Sequence, residues 1–116
     1  MVFEVTRTEE IDRDLVSIFR FLVTSYTALG EPISDAVEHA ERRVRRIEAE
    51  MMRLGVALHQ GTLLSELLPD LRCVTKDRAI FYFLVQAELR QIQVLAVFFG
   101  GQDHGQHIVK RLQQAP

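Results

Sequence analysis

LRCVTKDRAIFYFLVQAELRQIQVLAVFFGGQD, residues Leu71 to Asp103, decides how the chain folds. It reads as three strands, Leu71 to Thr75, Ala79 to Val85 and Gln91 to Phe98. The middle segment, AIFYFLV, does not alternate apolar with polar residues, as expected of a strand covered on both faces. Its link to the last strand, QAELR, is of hairpin length and makes the two strands antiparallel neighbours. Within that middle strand Tyr82 reads as a core ring whose hydroxyl reaches the sheet edge. FFGG reads as a strand end whose glycines permit a sharp exit. A short helix near His104 to Leu112 is expected to follow, and GGQD lacks the spacing of a phosphate loop.

Upstream of this stretch the periodicity changes from strand to helix. Val2 to Val5 is a strand candidate, with Phe3 and Val5 on one face. Thr8 followed by Glu9 and Glu10 resembles a helix start, the hydroxyl capping free amides and the acids sitting at the positive end of the dipole. Ile11, Leu15, Ile18, Phe19, Leu22 and Tyr26 then form one apolar stripe, and Gly30 and Pro32 end the helix near Leu29. Ile33, Val37, Ala40, Val44, Ile47, Met51 and Leu54 recur at alternating spacings of four and three, a second helix with a continuous seam that Gly55 stops. Two such helices joined by a short Gly-Pro turn form an antiparallel hairpin. Gln60 to Asp70 is a connector in which Leu63, Leu64, Leu67 and Leu68 tuck one short turn against the core. The expected architecture is α+β: an N-terminal strand, a two-helix hairpin, and three antiparallel strands carrying the hairpin on one sheet face.

Composition bounds the function classes. A chain of 116 residues has room for one domain, taken as residues 1–116, and its 47% hydrophobic and 26% charged residues are an ordinary globular mixture. A net charge of −2 is not the basic excess of a dedicated nucleic-acid binder, so no direct sequence-specific nucleic-acid binding is expected. Cys73 is the single cysteine, which excludes an intrachain disulfide and a thiolate metal cluster; it reads as a small buried strand residue. The start, MVFEVTRTEEIDRDL, is acidic and has no basic stretch before a long apolar run, so a signal peptide is not expected. No apolar segment approaches the roughly 20 residues that cross a bilayer. A cytoplasmic protein without membrane contact is the expectation.

The order of elements, with EIDRDLVSIFRFL near the start, LRCVTKDRAIFYFLV in the centre and VLAVFFGGQD near the end, resembles the ParE/RelE superfamily of toxins from bacterial type II toxin–antitoxin pairs. Asp14, Leu15 and Ile18 match its DL-x-x-I pattern, Leu71 and Arg72 its Leu-Arg, and Ile80, Phe81 and Tyr82 its apolar run ending in Tyr. The family's terminal His-Gly-x-x-Asp is matched only by Gly100 and Asp103, with Phe99 standing where the His belongs and Gly101 or Gln102 where an Arg is usual. RelE-like members cleave messenger RNA on the ribosome. That chemistry needs a group to activate the ribose hydroxyl, another to protonate the leaving oxygen, and cations on the phosphate. Arg72, Lys76 and Arg78 supply cations here, but the acid–base residue is missing from its strand. ParE-like members lack that set and bind DNA gyrase, and the sequence leans toward them. The resemblance therefore implies a non-enzymatic gyrase inhibitor without cofactor, held as a hetero-oligomer by a cognate antitoxin. The alternatives are a RelE-like nuclease, with Arg72 or Arg78 on the phosphate and His104 or His107 as base, or a degenerate relative that only binds an antitoxin.

These implications assign surfaces. Arg72, Lys76, Arg78, Gln102, Asp103, His104 and His107 form the expected target-binding surface, while Ile18, Leu22, Val44, Ile47 and Met51 form the expected antitoxin groove beside the hairpin. The plainer reading of Arg72, Lys76 and Arg78 is a set of solvated charges that discourage edge pairing. ERRVRRIEAE places Arg42, Arg43, Arg45 and Arg46 around the non-seam side of the second helix, and Glu38, Glu41, Glu48 and Glu50 are positioned to neutralise them at helical spacing. His104 and His107 share a helix face, but no third ligand is spaced to complete a metal site, so none is expected.

Overall fold

The computed structural model describes residues 2–100 and, in the last helix, the backbone of 104–114 and the side chains of 107–113. β1 (Glu4–Thr6) leads into α1 (Glu9–Ala28) and α2 (Ile33–Met52), followed by a 3-10 turn, Arg53–Val56. β2 (Thr62–Leu63), β3 (Arg72–Lys76), β4 (Ala79–Gln86) and β5 (Gln91–Phe99) come next, and α3 (His104–Gln114) closes the chain. The expected α+β order, with its two-helix hairpin and late antiparallel strands, is the one observed.

The sheet is larger than the sequence suggested. Its five strands run in the order β1-β5-β4-β3-β2, and β1 lies parallel to β5 while the other pairs are antiparallel. β2 comes from the segment read as a plain connector, where Leu63 and Leu67 stay exposed and Leu64 and Leu68 pack inward. The β4–β5 pairing has one irregularity. Phe83 faces Val94 but Tyr82 faces Ala96, so Leu95 is an extra residue in β5, a β-bulge that re-aims the backbone around it.

Both faces of the sheet are covered, which explains the unbroken apolar run of β4. On one face Phe81, Phe83, Val94, Val97 and Phe99 meet Ile11, Leu15, Ile18 and Leu22 of α1 and Ala40, Ile47 and Met51 of α2. On the other, Tyr82, Ala96 and Phe98 pack with Leu71 and with Ile108 of α3. Burial at this density favours folding by about 1.5–3 kcal/mol for each large side chain. The hairpin is thus carried on one face, as expected, and α3 seals the opposite one.

Local chemistry sets the hairpin. Thr8 sits at the N-cap in an extended conformation, but its side chain makes no capping bond; its carbonyl accepts from Ile11 instead, at 3.0 Å. α1 ends in a Schellman motif, with Gly30 N–H donating to Thr27 O at 3.0 Å and Glu31 N–H to Tyr26 O at 3.1 Å. Gly30 has φ +103°, a conformation that only glycine adopts without penalty. Across the turn Tyr26 and His39 stack with centroids 3.7 Å apart, and His39 Nδ1 lies 3.1 Å from Glu31 Oε2. The seam of α2 is rotated from its expected line near the turn: Ala36 is buried, while Ile33 is 65% exposed because it lies before the helix reaches the core. Gly55 does more than stop α2. It is buried, its carbonyl accepts from Phe3 N–H at 3.0 Å, and a Cβ there would collide with the Phe3 carbonyl oxygen.

Candidate functional site

The β3–β4 turn, the middle of α2 and the end of β5 meet at one place. Asp77 and Arg78 form the turn with φ +52° and +66°, both in the left-handed region that a two-residue hairpin turn of this hand demands. Asp tolerates it, whereas Arg does so at a cost of about 1–2 kcal/mol. Non-glycine residues held in this way cluster at functional sites.

Its surroundings are cationic. Arg43 of α2 donates from Nη2 to Asp77 O at 3.0 Å, and Arg46 Nε lies 3.9 Å from Asp77 Oδ2. Arg43 Nε is 3.4 Å from Asp77 Oδ2, close enough for Coulombic attraction, yet it is buried and forms no hydrogen bond among the described residues. The Arg43 and Arg78 guanidinium groups lie 5.4 and 5.6 Å from the centroid of the Phe99 ring, both within cation–π range. Phe21 packs on the same ring, and Gly100 N–H closes the corner by donating to Arg78 O at 2.9 Å. One carboxylate, Asp77, is shared by two arginines, while Lys76 and Arg78 form no ion pair among the described residues. The site suits an anionic surface.

The expected target-facing residues are only partly brought together. Lys76 and Arg78 belong to this cluster. Arg72 lies at the far end of β3, donating to His59 O at 3.2 Å. His107 stacks on Phe98 with centroids 6.0 Å apart, and Phe98 belongs to the sheet face opposite Phe99. Gln102, Asp103 and the side chain of His104 lie outside the described residues.

The antitoxin-groove assignment requires correction at four of its five positions. Ile18, Leu22, Ile47 and Met51 are buried in the chain's own core, because the hairpin turns its seam onto the sheet. Val44 alone is half-buried. The open furrow between the helices lies on the outer side instead, about 270 Å³ in volume and lined by Leu15, Val16, Phe19, Glu41, Val44 and Arg45. The neutralisation of α2 is corrected as well. Glu48 pairs with Arg7 at 2.6 Å and Glu50 with Arg53 at 3.8 Å, so neither serves Arg42, Arg43, Arg45 or Arg46.

Asp14, read from the sequence only as part of a pattern match, and Arg111, not singled out there, organise the open edge of β5. Asp14 is buried among the apolar residues of α1. Its carboxylate takes 2.7 and 3.2 Å hydrogen bonds from Arg111 of α3 and a 3.0 Å bond from Val97 N–H. Arg111 also donates to Leu95 O at 2.8 Å and pairs with Glu10 at 2.8 Å. Both backbone groups lie on the edge of β5 beyond Gln93, where its pairing with β1 ends. The Asp14 bond, ahead of opposing burial and the attraction of Asp14 and Glu10, pushes the Arg111 pKa up. A carboxylate at position 14, between Ile11 and Ile18 on the buried arc, was the signal available in the sequence.

Among the described residues the acid–base group at the cationic turn is Asp77, which Arg43 and Arg46 engage. Burial, then Cys73 as neighbour and hydrogen-bond partner, pushes the Tyr82 phenol up to about 12, so it stays protonated at neutral pH. Burial likewise raises the Cys73 thiol, partly offset by the bond from Tyr82. Both sit on the α3 side of the sheet, away from Phe99. Among the described residues no cluster of His, Cys, Asp and Glu is arranged to hold a metal ion, and no helix is long and apolar enough to cross a membrane. No protein-family model matches the chain, and no curated protein sequence matches it either.

Proposed function

We propose that this chain is the toxin of a bacterial type II toxin–antitoxin pair, of the ParE-like kind, which binds DNA gyrase in the cytoplasm and blocks it without catalysing a reaction. One observation carries the reading: at the strand end where the nuclease branch keeps a histidine, this chain has Phe99, and the ring supports two guanidinium groups instead of a proton-transfer pair. Among the described residues the ledge carries one carboxylate, Asp77, already engaged by Arg43 and Arg46, which suits it to holding an acidic protein surface better than to cleaving RNA. The strained Asp77–Arg78 turn fixes that ledge, with Lys76 beside it. A cognate antitoxin completes the reading, placing apolar side chains in the furrow over Val16, Phe19 and Val44. Induced expression of the chain should arrest growth, with DNA breaks accumulating and messenger RNA intact by primer extension. In-frame cuts in messenger RNA would replace this reading with the nuclease one, and undisturbed growth would favour a relative that only binds an antitoxin.

A further inference from the structure

The arginines of α2 that the fold leaves unneutralised form a ridge. Arg42 and Arg45 are exposed and make no ion pair or hydrogen bond among the described residues, and Arg46 has only the 3.9 Å approach to Asp77. The contacts of Arg43 with Asp77 place this ridge beside the β3–β4 turn, so Lys76 and Arg78 continue it. Six cations, Arg42, Arg43, Arg45, Arg46, Lys76 and Arg78, thus stand with three acids, Glu38, Glu41 and Asp77, on a chain whose net charge is −2. Charge is strongly segregated onto this side.

We infer that the ridge formed by Arg42, Arg45 and Arg46 with Lys76 and Arg78 binds the phosphate backbone of double-stranded DNA, without reading its sequence. Three features favour a nucleic acid over an acidic peptide. The open hollow at the ridge, about 440 Å³, is lined by His39, Arg42, Arg45 and Arg46 and offers no apolar side chain to anchor a peptide. Its three arginines follow one another along a single turn of α2. Arg42 and Arg46 are one turn apart, about 6 Å along the axis, so both reach a duplex backbone that carries one charge per about 1.7 Å of its axis. Guanidinium groups also fork onto phosphate oxygens with matching geometry. Glu38 and Glu41 flank the ridge and repel the duplex, which leaves an affinity that is salt-sensitive and modest.

The test is a fluorescence-anisotropy titration of the full chain against a labelled mixed-sequence duplex over a range of salt concentrations, with no gyrase present, so that its outcome is separate from that of the proposed function. The chain is expected to bind at low salt and to weaken steeply as salt rises. Arg42→Gln with Arg45→Gln should lower the slope of log K against log salt by about two, at roughly 0.9 per phosphate contact. Arg13→Gln with Arg20→Gln, on exposed positions of α1, should leave it unchanged, and circular dichroism checks that both variants fold. No binding at low salt, an equal loss in both variants, or preferential binding of a poly-glutamate peptide over the duplex would overturn the inference.

Discussion

Asp14 of α1 and Arg111 of α3 form a bidentate pair, 2.7 and 3.2 Å, that bridges the open edge of β5. The Asp14 side chain is 8% exposed and that of Arg111 is 21% exposed. The pair does two jobs at once. It satisfies Val97 N–H and Leu95 O on the edge of β5 beyond the end of β1, and it fastens the last helix to the first. Removing one partner leaves the other charge poorly solvated. Asp14→Asn should therefore destabilise the chain by about 2–4 kcal/mol, at or below the upper range for buried pairs because Arg111 keeps some water. Urea unfolding measures this, and a change under 1 kcal/mol, within the range of about 0–1 kcal/mol for surface pairs, would show that the bridge matters little.

The phenol of Tyr82 gives a stability change at alkaline pH. Its folded-state pKa, about 12, lies above the ordinary tyrosine value of 10.0. The folded state therefore holds its proton more tightly than the unfolded state, so this contribution is fully present below pH 10 and is lost as pH rises toward 12. The stability of the parent chain should fall across that window more steeply than that of Tyr82→Phe. Parallel pH profiles of unfolding for the two proteins would exclude this assignment.

Arg78 separates strain from function. Arg78→Gly removes a backbone penalty of about 1–2 kcal/mol and also a cation–π contact worth about 0.5–2 kcal/mol, so stability should change by no more than about 1.5 kcal/mol. Inhibition of gyrase should nevertheless weaken, because the ledge loses a charge. Retained inhibition would place the target contact elsewhere.

The furrow between α1 and α2 is where the proposed antitoxin can be tested. Val16 is 48% exposed on its rim, so Val16→Glu should alter stability by less than about 0.5 kcal/mol. It should weaken capture by the antitoxin at least tenfold in a binding titration, since a charge would be forced against an apolar partner. Unchanged affinity would remove the furrow from the interface.

Local pattern carried most of the fold. The stripes of α1 and α2, the unbroken apolar run of β4 and the hairpin spacing of QAELR are features of neighbouring residues, and each formed its expected element. What the pattern could not convey depends on distant partners. The parallel pairing of β1 with β5 joins the two ends of the chain, and Thr62–Leu63 becomes a strand only because β3 is beside it. The seam residues Ile18, Leu22, Ile47 and Met51 were visible as apolar, but not that the sheet would cover them completely. Arg43 shares the core-facing arc with Ala36, Ala40 and Ile47, which hinted that its role was not plain solvation. Nothing in the sequence near Phe99 indicated that arginines from α2 and from the β3–β4 turn would both reach its ring.

The central claim is settled most directly by a supercoiling assay with purified gyrase, relaxed plasmid and the purified chain. The account predicts that micromolar chain inhibits supercoiling and leaves cleaved plasmid behind after protein is removed. Full supercoiling at those concentrations, with the chain shown to be folded, would contradict it.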